Sequence, residues 1–101
     1  MSMIQGTTPT NRFNLPFDVS EVVALRIAYS QKGAVIFTKT EADCTLEGNT
    51  VTLRLTQEDT FKFEGEEVVQ IRLRVKQKDG NVKASKPVVS KIEESEDKEV
   101  M

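Results

Sequence analysis

The chain of 101 residues carries 14 Lys and Arg against 16 Asp and Glu, a single cysteine, and neither histidine nor tryptophan. One domain with a modest core is the size expectation, and a net charge of −2 gives no general attraction to nucleic acid or an anionic membrane. Without histidine there is no Ser–His–Asp or Cys–His apparatus, no imidazole base and no His-containing zinc site, and a lone Cys44 allows neither an internal disulfide nor a cysteine-rich cluster.

Taken in chain order, the opening Met1 to Gly6 has no basic region and no apolar run of signal-peptide type. No window approaches the roughly 20 apolar residues that cross a bilayer. Phe13 and Leu15 alternate on a short first strand that Pro16 ends. Asp18-Val19-Ser20-Glu21 places an acceptor three residues before a glutamate, the start of one helical turn. Val23, Leu25, Ile27 and Tyr29 then alternate with Ala24, Arg26, Ala28 and Ser30, the period of a half-buried strand. Gln31-Lys32-Gly33 fits a three-residue hairpin, which sets Tyr29 opposite Val35 and Ile27 opposite Phe37.

Further along, Glu47-Gly48-Asn49-Thr50 suits a two-residue type II′ loop with glycine first. It sets Leu46 against Val51, Cys44 against Leu53 and, on the outer face, Asp43 against Arg54 as a cross-strand ion pair. Thr56-Gln57-Glu58-Asp59 repeats the helix-start chemistry. The clearest strand is Val69, Ile71, Leu73 and Val75 against Gln70, Arg72, Arg74 and Lys76. Asp79-Gly80 is a type I′ signal, and Lys86-Pro87 breaks the returning strand, which assigns it to an edge.

These elements predict an all-β fold: an immunoglobulin-like antiparallel β-sandwich of about six or seven strands with one or two short helical turns. An open barrel is the alternative. Residues 1–92 form the single domain, and 93–101 an acidic, flexible tail. Charge is unevenly placed along it. Residues 62–91 carry 8 basic and 4 acidic side chains, net +4, whereas residues 92–101 carry one basic and 5 acidic, net −4. The tail is read as free in solution, or else as docked on the basic stretch of its own or a neighbouring subunit.

Candidate chemistry is sparse. Cys44 falls on the inner face by parity with Leu46 and reads as a small hydrophobe. Glu58-Asp59 and Glu64, Glu66 and Glu67 lack the spacing of a calcium loop and read as a helix start and a solvated loop. No catalytic residue, cofactor or metal site is expected. Arg72, Arg74 and Lys76 project from one side of their strand, and Arg54 projects outward from another. If those strands share a sheet, the four form a positive stripe, the expected partner-binding face. Nucleic acid would want exposed aromatics among the charges, but the strand phases turn Phe13, Tyr29 and Phe37 inward. The expected partner is therefore a protein.

Gln5-Gly6-Thr7-Thr8-Pro9-Thr10 with Leu15-Pro16-Phe17-Asp18, then Asp43 to Thr50 and Leu55 to Phe61, and finally Gln70 to Val75 with Asp79-Gly80 and Ala84-Ser85, resemble small proteins encoded in prophages and mobile elements of Firmicutes. The likeness spans residues 4–92, and its motifs are turns and strand faces. The resemblance implies a non-enzymatic virion structural, assembly or accessory protein acting by protein–protein interaction, as a homo-oligomer or docked on other phage structural subunits. It would be cytoplasmic when synthesised and carried in the virion once assembled. A small cytoplasmic regulatory or ligand-binding β-sandwich module is the second expectation.

Overall fold

Alternation with a period of two runs through most of the chain, and the computed structural model, which describes residues 2–101, is built almost wholly of strands. Nine strands are formed by the described residues: β1 (Ser2–Ile4), β2 (Thr10–Asn14), β3 (Val22–Gln31), β4 (Ala34–Thr40), β5 (Cys44–Glu47), β6 (Thr50–Arg54), β7 (Val68–Gln77), β8 (Val82–Ala84) and β9 (Val88–Glu93). One helix, α1 (Gln57–Phe61), and two 3-10 turns, Val19–Glu21 and Glu41–Asp43, lie between them. Thr56 caps α1 through a reciprocal box, accepting the Asp59 N–H at 3.1 Å while Asp59 accepts the Thr56 N–H at 3.0 Å.

The strands divide into two sheets, β1-β9-β7-β3-β4 with β8 also on β7, and β2-β6-β5. This is the immunoglobulin order: β2, β6 and β5 take the B, E and D places, and β4, β3, β7 and β9 take C′, C, F and G. The sandwich expectation therefore holds, with differences in detail. β1 joins β9 in parallel, pairing Met3 with Ile92, so the fold is not purely antiparallel. There are more strands than expected because β1 is too short to show alternation and because the last hairpin strand is split in two. There are also three helical turns, the unforeseen one being Glu41–Asp43. Lys86-Pro87 does interrupt the returning strand: its first piece, β8, pairs β7 alone and is an edge as expected, whereas its second, β9, lies between β7 and β1.

Two turns exchange the lengths read from their sequences. Lys32 and Gly33 both have positive φ, 53° and 78°, and Gln31 pairs directly with Ala34, which is a two-residue type I′ loop. A bulge between Tyr29 and Ser30 then sets Tyr29 opposite Phe37, not Val35, and Ile27 opposite Lys39. Ring stacking explains the shift: Tyr29 and Phe37 lie 4.8 Å apart, while Val35 is left 61% exposed. At the other turn Gly80 alone has positive φ. Its N–H donates to the Gln77 carbonyl and the Gln77 N–H to the Asn81 carbonyl, closing a three-residue loop, not type I′. The Gly48 turn has the expected register. Val23, expected inside, is 54% exposed because β3 bulges between Val22 and Ala24.

Leu25, Ile27 and Tyr29 of β3 and Val69, Ile71, Leu73 and Val75 of β7 form one wall of the core. Val51, Leu53, Leu55 and Phe63 form the other. The Asn11 side-chain amide donates to the Tyr29 hydroxyl at 2.7 Å, joining the two sheets inside the core. Near the N-terminus, Gly6 lies under the Phe61 ring with a φ of +77°, and its N–H donates to Thr60 Oγ1 at 2.9 Å. Residues 93–101 begin at the end of β9 and run past Gln5, whose Oε1 accepts from the Ser95 N–H and from Lys98 Nζ. They end beside α1, where the Met101 N–H donates to Gln57 Oε1 at 2.7 Å.

A Cβ on Gly6 would stand 2.6 Å from Phe61 Cζ, whereas a Cβ on Gly33, at nearly the same φ, would meet nothing within 4 Å. Gly33→Ala is expected to lose only backbone strain, about 1–2 kcal/mol. Gly6→Ala adds overpacking of about 1–3 kcal/mol. Urea denaturation of both variants checks this, and equal losses would contradict the role given to Phe61.

Candidate docking face

The pairing of β3 with β7 decides which side chains share the outer surface. Arg26 stands opposite Arg74, Ala28 opposite Arg72 and Ala24 opposite Lys76. On the β4 side Arg26 and Ala28 face Thr40 and Thr38. On the β8 side Arg74 and Lys76 face Ala84 and Val82. Four exposed cations thus stand among small side chains. Arg54, expected to complete the stripe, does not join it. β6 belongs to the other sheet, where Arg54 pairs with Thr10 and its guanidinium donates to Thr8 Oγ1 at 3.3 Å. Arg26 replaces it; its outward parity is visible in the sequence, but the pairing of β3 with β7 across the 36 residues between them is not.

None of the five ion pairs among the described residues includes Arg26, Arg72, Arg74 or Lys76. Like charges directly across two strands repel, so this face carries a net positive field. A shallow concavity of about 660 Å³ opens between Ala24, Arg26, Thr38, Arg74 and Lys76. Glu41 stands on its rim, its Oε2 accepting the Leu25 N–H at 3.0 Å. Hydrogen bonds from its own backbone N–H and from that of Leu25 hold the Glu41 carboxyl below the usual range.

The other candidate groups are occupied. Asp43 accepts the Thr40 N–H at 2.9 Å as part of the 3-10 turn, so the expected Asp43–Arg54 pair does not form. Cys44 is half-buried against the core, and its thiol donates to the Thr40 carbonyl at 3.3 Å. Burial, then the nearby Asp43 and Glu41 charges, pushes its pKa up to about 11, so the thiolate is scarce at neutral pH. Lys32 pairs with Glu64 at 2.9 Å and Glu67 at 3.7 Å, and Lys91 with Glu66 at 3.7 Å. Among the described residues no three acidic, cysteine or histidine side chains gather where a metal ion would sit. No helix there is long and apolar enough to cross a membrane.

Asp59 is the one buried carboxylate among the described residues. It accepts from Lys39 Nζ at 3.0 Å, with the two side chains 6% and 21% exposed. Burial alone would raise its pKa, but the Thr56 N–H and the Lys39 ammonium outweigh it and hold the group below the usual carboxylate range. A depressed folded pKa means stability that is present above the ordinary carboxylate value and lost as pH falls through the folded one. Lys39→Met is expected to lower unfolding stability by about 2 kcal/mol at pH 7, less than for a fully buried pair because the lysine is partly hydrated. The gap to the parent chain should narrow as Asp59 is protonated towards pH 2. Urea titrations at both pH values measure it, and a gap independent of pH would count against the pair.

Comparison of the chain with protein-family models, with curated proteins and with solved structures finds no match.

Proposed function

We propose that this chain is a non-catalytic protein-docking domain, a structural or assembly component of a phage-type particle, which takes an acidic protein surface onto the outer face of its larger sheet. The observation that carries this reading is the direct opposition of Arg26 and Arg74, flanked by Arg72 and Lys76, none of which forms an ion pair among the described residues. Arginine forks take carboxylates bidentately, and two on adjacent strands stand within reach of one acidic group. The setting among phage structural proteins rests on the sequence resemblance.

Small neighbours favour a protein over a nucleic acid. Ala24, Ala28, Thr38 and Thr40 leave a shallow, accessible surface between the cations, open to the side chains of a protein partner. Single-stranded nucleic acid gains much of its affinity by stacking on aromatic rings. Here Tyr29, Phe37 and Phe63 pack on one another with centroids 4.8–5.9 Å apart, and Tyr29 and Phe63 are buried.

Co-expression with the products of the adjacent reading frames tests the proposal. An acidic product should co-purify at low salt, and Arg72→Glu/Arg74→Glu should weaken its retention at least tenfold while leaving the circular dichroism spectrum unchanged. Undiminished retention by the charge-reversed chain would contradict the assignment of the face.

A further inference from the structure

We infer that the acidic occupant of the basic sheet face is the C-terminal segment, residues 93–101, of a second copy of this chain. The inference rests on the reading of that face as a docking surface and names what docks there. The segment holds Glu93, Glu94, Glu96, Asp97 and Glu99 with a single lysine. Among the described residues its only ion pair is internal, Lys98 to Glu94 at 3.5 Å. Its charge of about −4 over these residues matches four unpaired cations on the face.

The repeat distances also agree. Arg72, Arg74 and Lys76 project from one strand at every second residue, about 6.6–7 Å apart. In an extended chain Glu94 and Glu96, and likewise Asp97 and Glu99, fall at the same interval. Glu94 and Glu96 share one side of an extended tail and Glu93, Asp97 and Glu99 the other, so a tail released from Gln5 and Gln57 and laid along β7 turns two or three of its five carboxylates towards the guanidinium and ammonium groups.

Position within the fold favours a second molecule as the source. The tail leaves β9 beside the start of β7, where Lys91 pairs with Val68, about 20 Å along the strand from Arg74. From there it runs away from the face, held by Gln5 and ending on Gln57. Each molecule thus presents an acidic segment at one end of β7 and an uncovered basic face towards the other. Contacts between unlike surfaces of this kind are head-to-tail, and they propagate into rings or filaments.

Sedimentation velocity with two variants tests this. The face variant is Arg72→Gln/Arg74→Gln, and the tail variant is Glu94→Gln/Glu96→Gln/Asp97→Asn/Glu99→Gln; all the altered side chains are exposed. The parent chain should associate at about 50 mM salt and weaken at least tenfold at about 500 mM. Each variant alone should remain monomeric, whereas their mixture should form a heterodimer and stop there, because only one intact face meets one intact tail. A monomeric mixture, or variants that associate like the parent, would overturn the inference. A labelled peptide of residues 93–101, added to the tail variant and to the face variant, should bind the first and not the second; equal binding or none would also overturn it. If self-docking fails while a co-expressed acidic partner is still lost on Arg72→Glu/Arg74→Glu, the docking face stands with another occupant. If both fail, so does the reading of the face.

Discussion

The pairing of β3 with β7 governs everything else in the molecule. Side chains alternate across a sheet, so a slip of one residue would exchange the two faces completely. In the observed register Leu25, Ile27, Val69, Ile71, Leu73 and Val75 are all buried, each gaining about 1.5–3 kcal/mol. The same register forces Arg26 beside Arg74. Repulsion between cross-strand charges is of the order of 0.2–1 kcal/mol, far too small to compete with six buried side chains. The basic face is thus the outward consequence of a register that the core selects, and its charges need no local compensation for the fold to persist.

Around this pair the smaller sheet and α1 fix the rest. Asn11 of β2 reaches Tyr29 of β3 across the core, and the Tyr29–Phe37–Phe63 cluster joins β4 to the segment after α1. Lys39 of β4 reaches inward to Asp59, tying the edge strand to the helix cap. Gln31 does similar work at the other end, donating to the Glu64 carbonyl at 3.0 Å and accepting the Glu64 N–H at 2.8 Å. These ties hold β4 and the loop before β7 against the sandwich, which keeps the outer surface of β3, β4 and β7 a rigid platform. Rigidity matters for a docking surface because less ordering entropy is lost on binding.

Much of this was legible in the sequence, and the failures have physical causes. Strands with clear alternation, β3, β6 and β7, were found, as were the Gly48 turn and the Thr56 cap, since each depends on neighbouring residues. The Lys32-Gly33 and Asp79-Gly80 turns were read with exchanged lengths because glycine signals a left-handed residue without counting the loop. There, Tyr29–Phe37 stacking decided one register and the Asp79 side chain, accepting the Asn81 N–H, shaped the other. β1 was invisible because three residues carry no period, and its partner β9 lies some ninety residues away. The candidate face was half legible: parity gave the outward direction of Arg26, Arg54, Arg72, Arg74 and Lys76, but sheet membership is a long-range fact, and it removed Arg54 and added Arg26.

The same long-range fact carries the functional account, since the opposed arginines exist only in one alignment of two distant strands. Cross-strand backbone NOEs in isotope-labelled protein test it most directly. Contacts linking Arg26 with Arg74 and Ala28 with Arg72 are expected. Contacts linking Arg26 with Leu73 or Val75 instead would contradict the register, and with it the face.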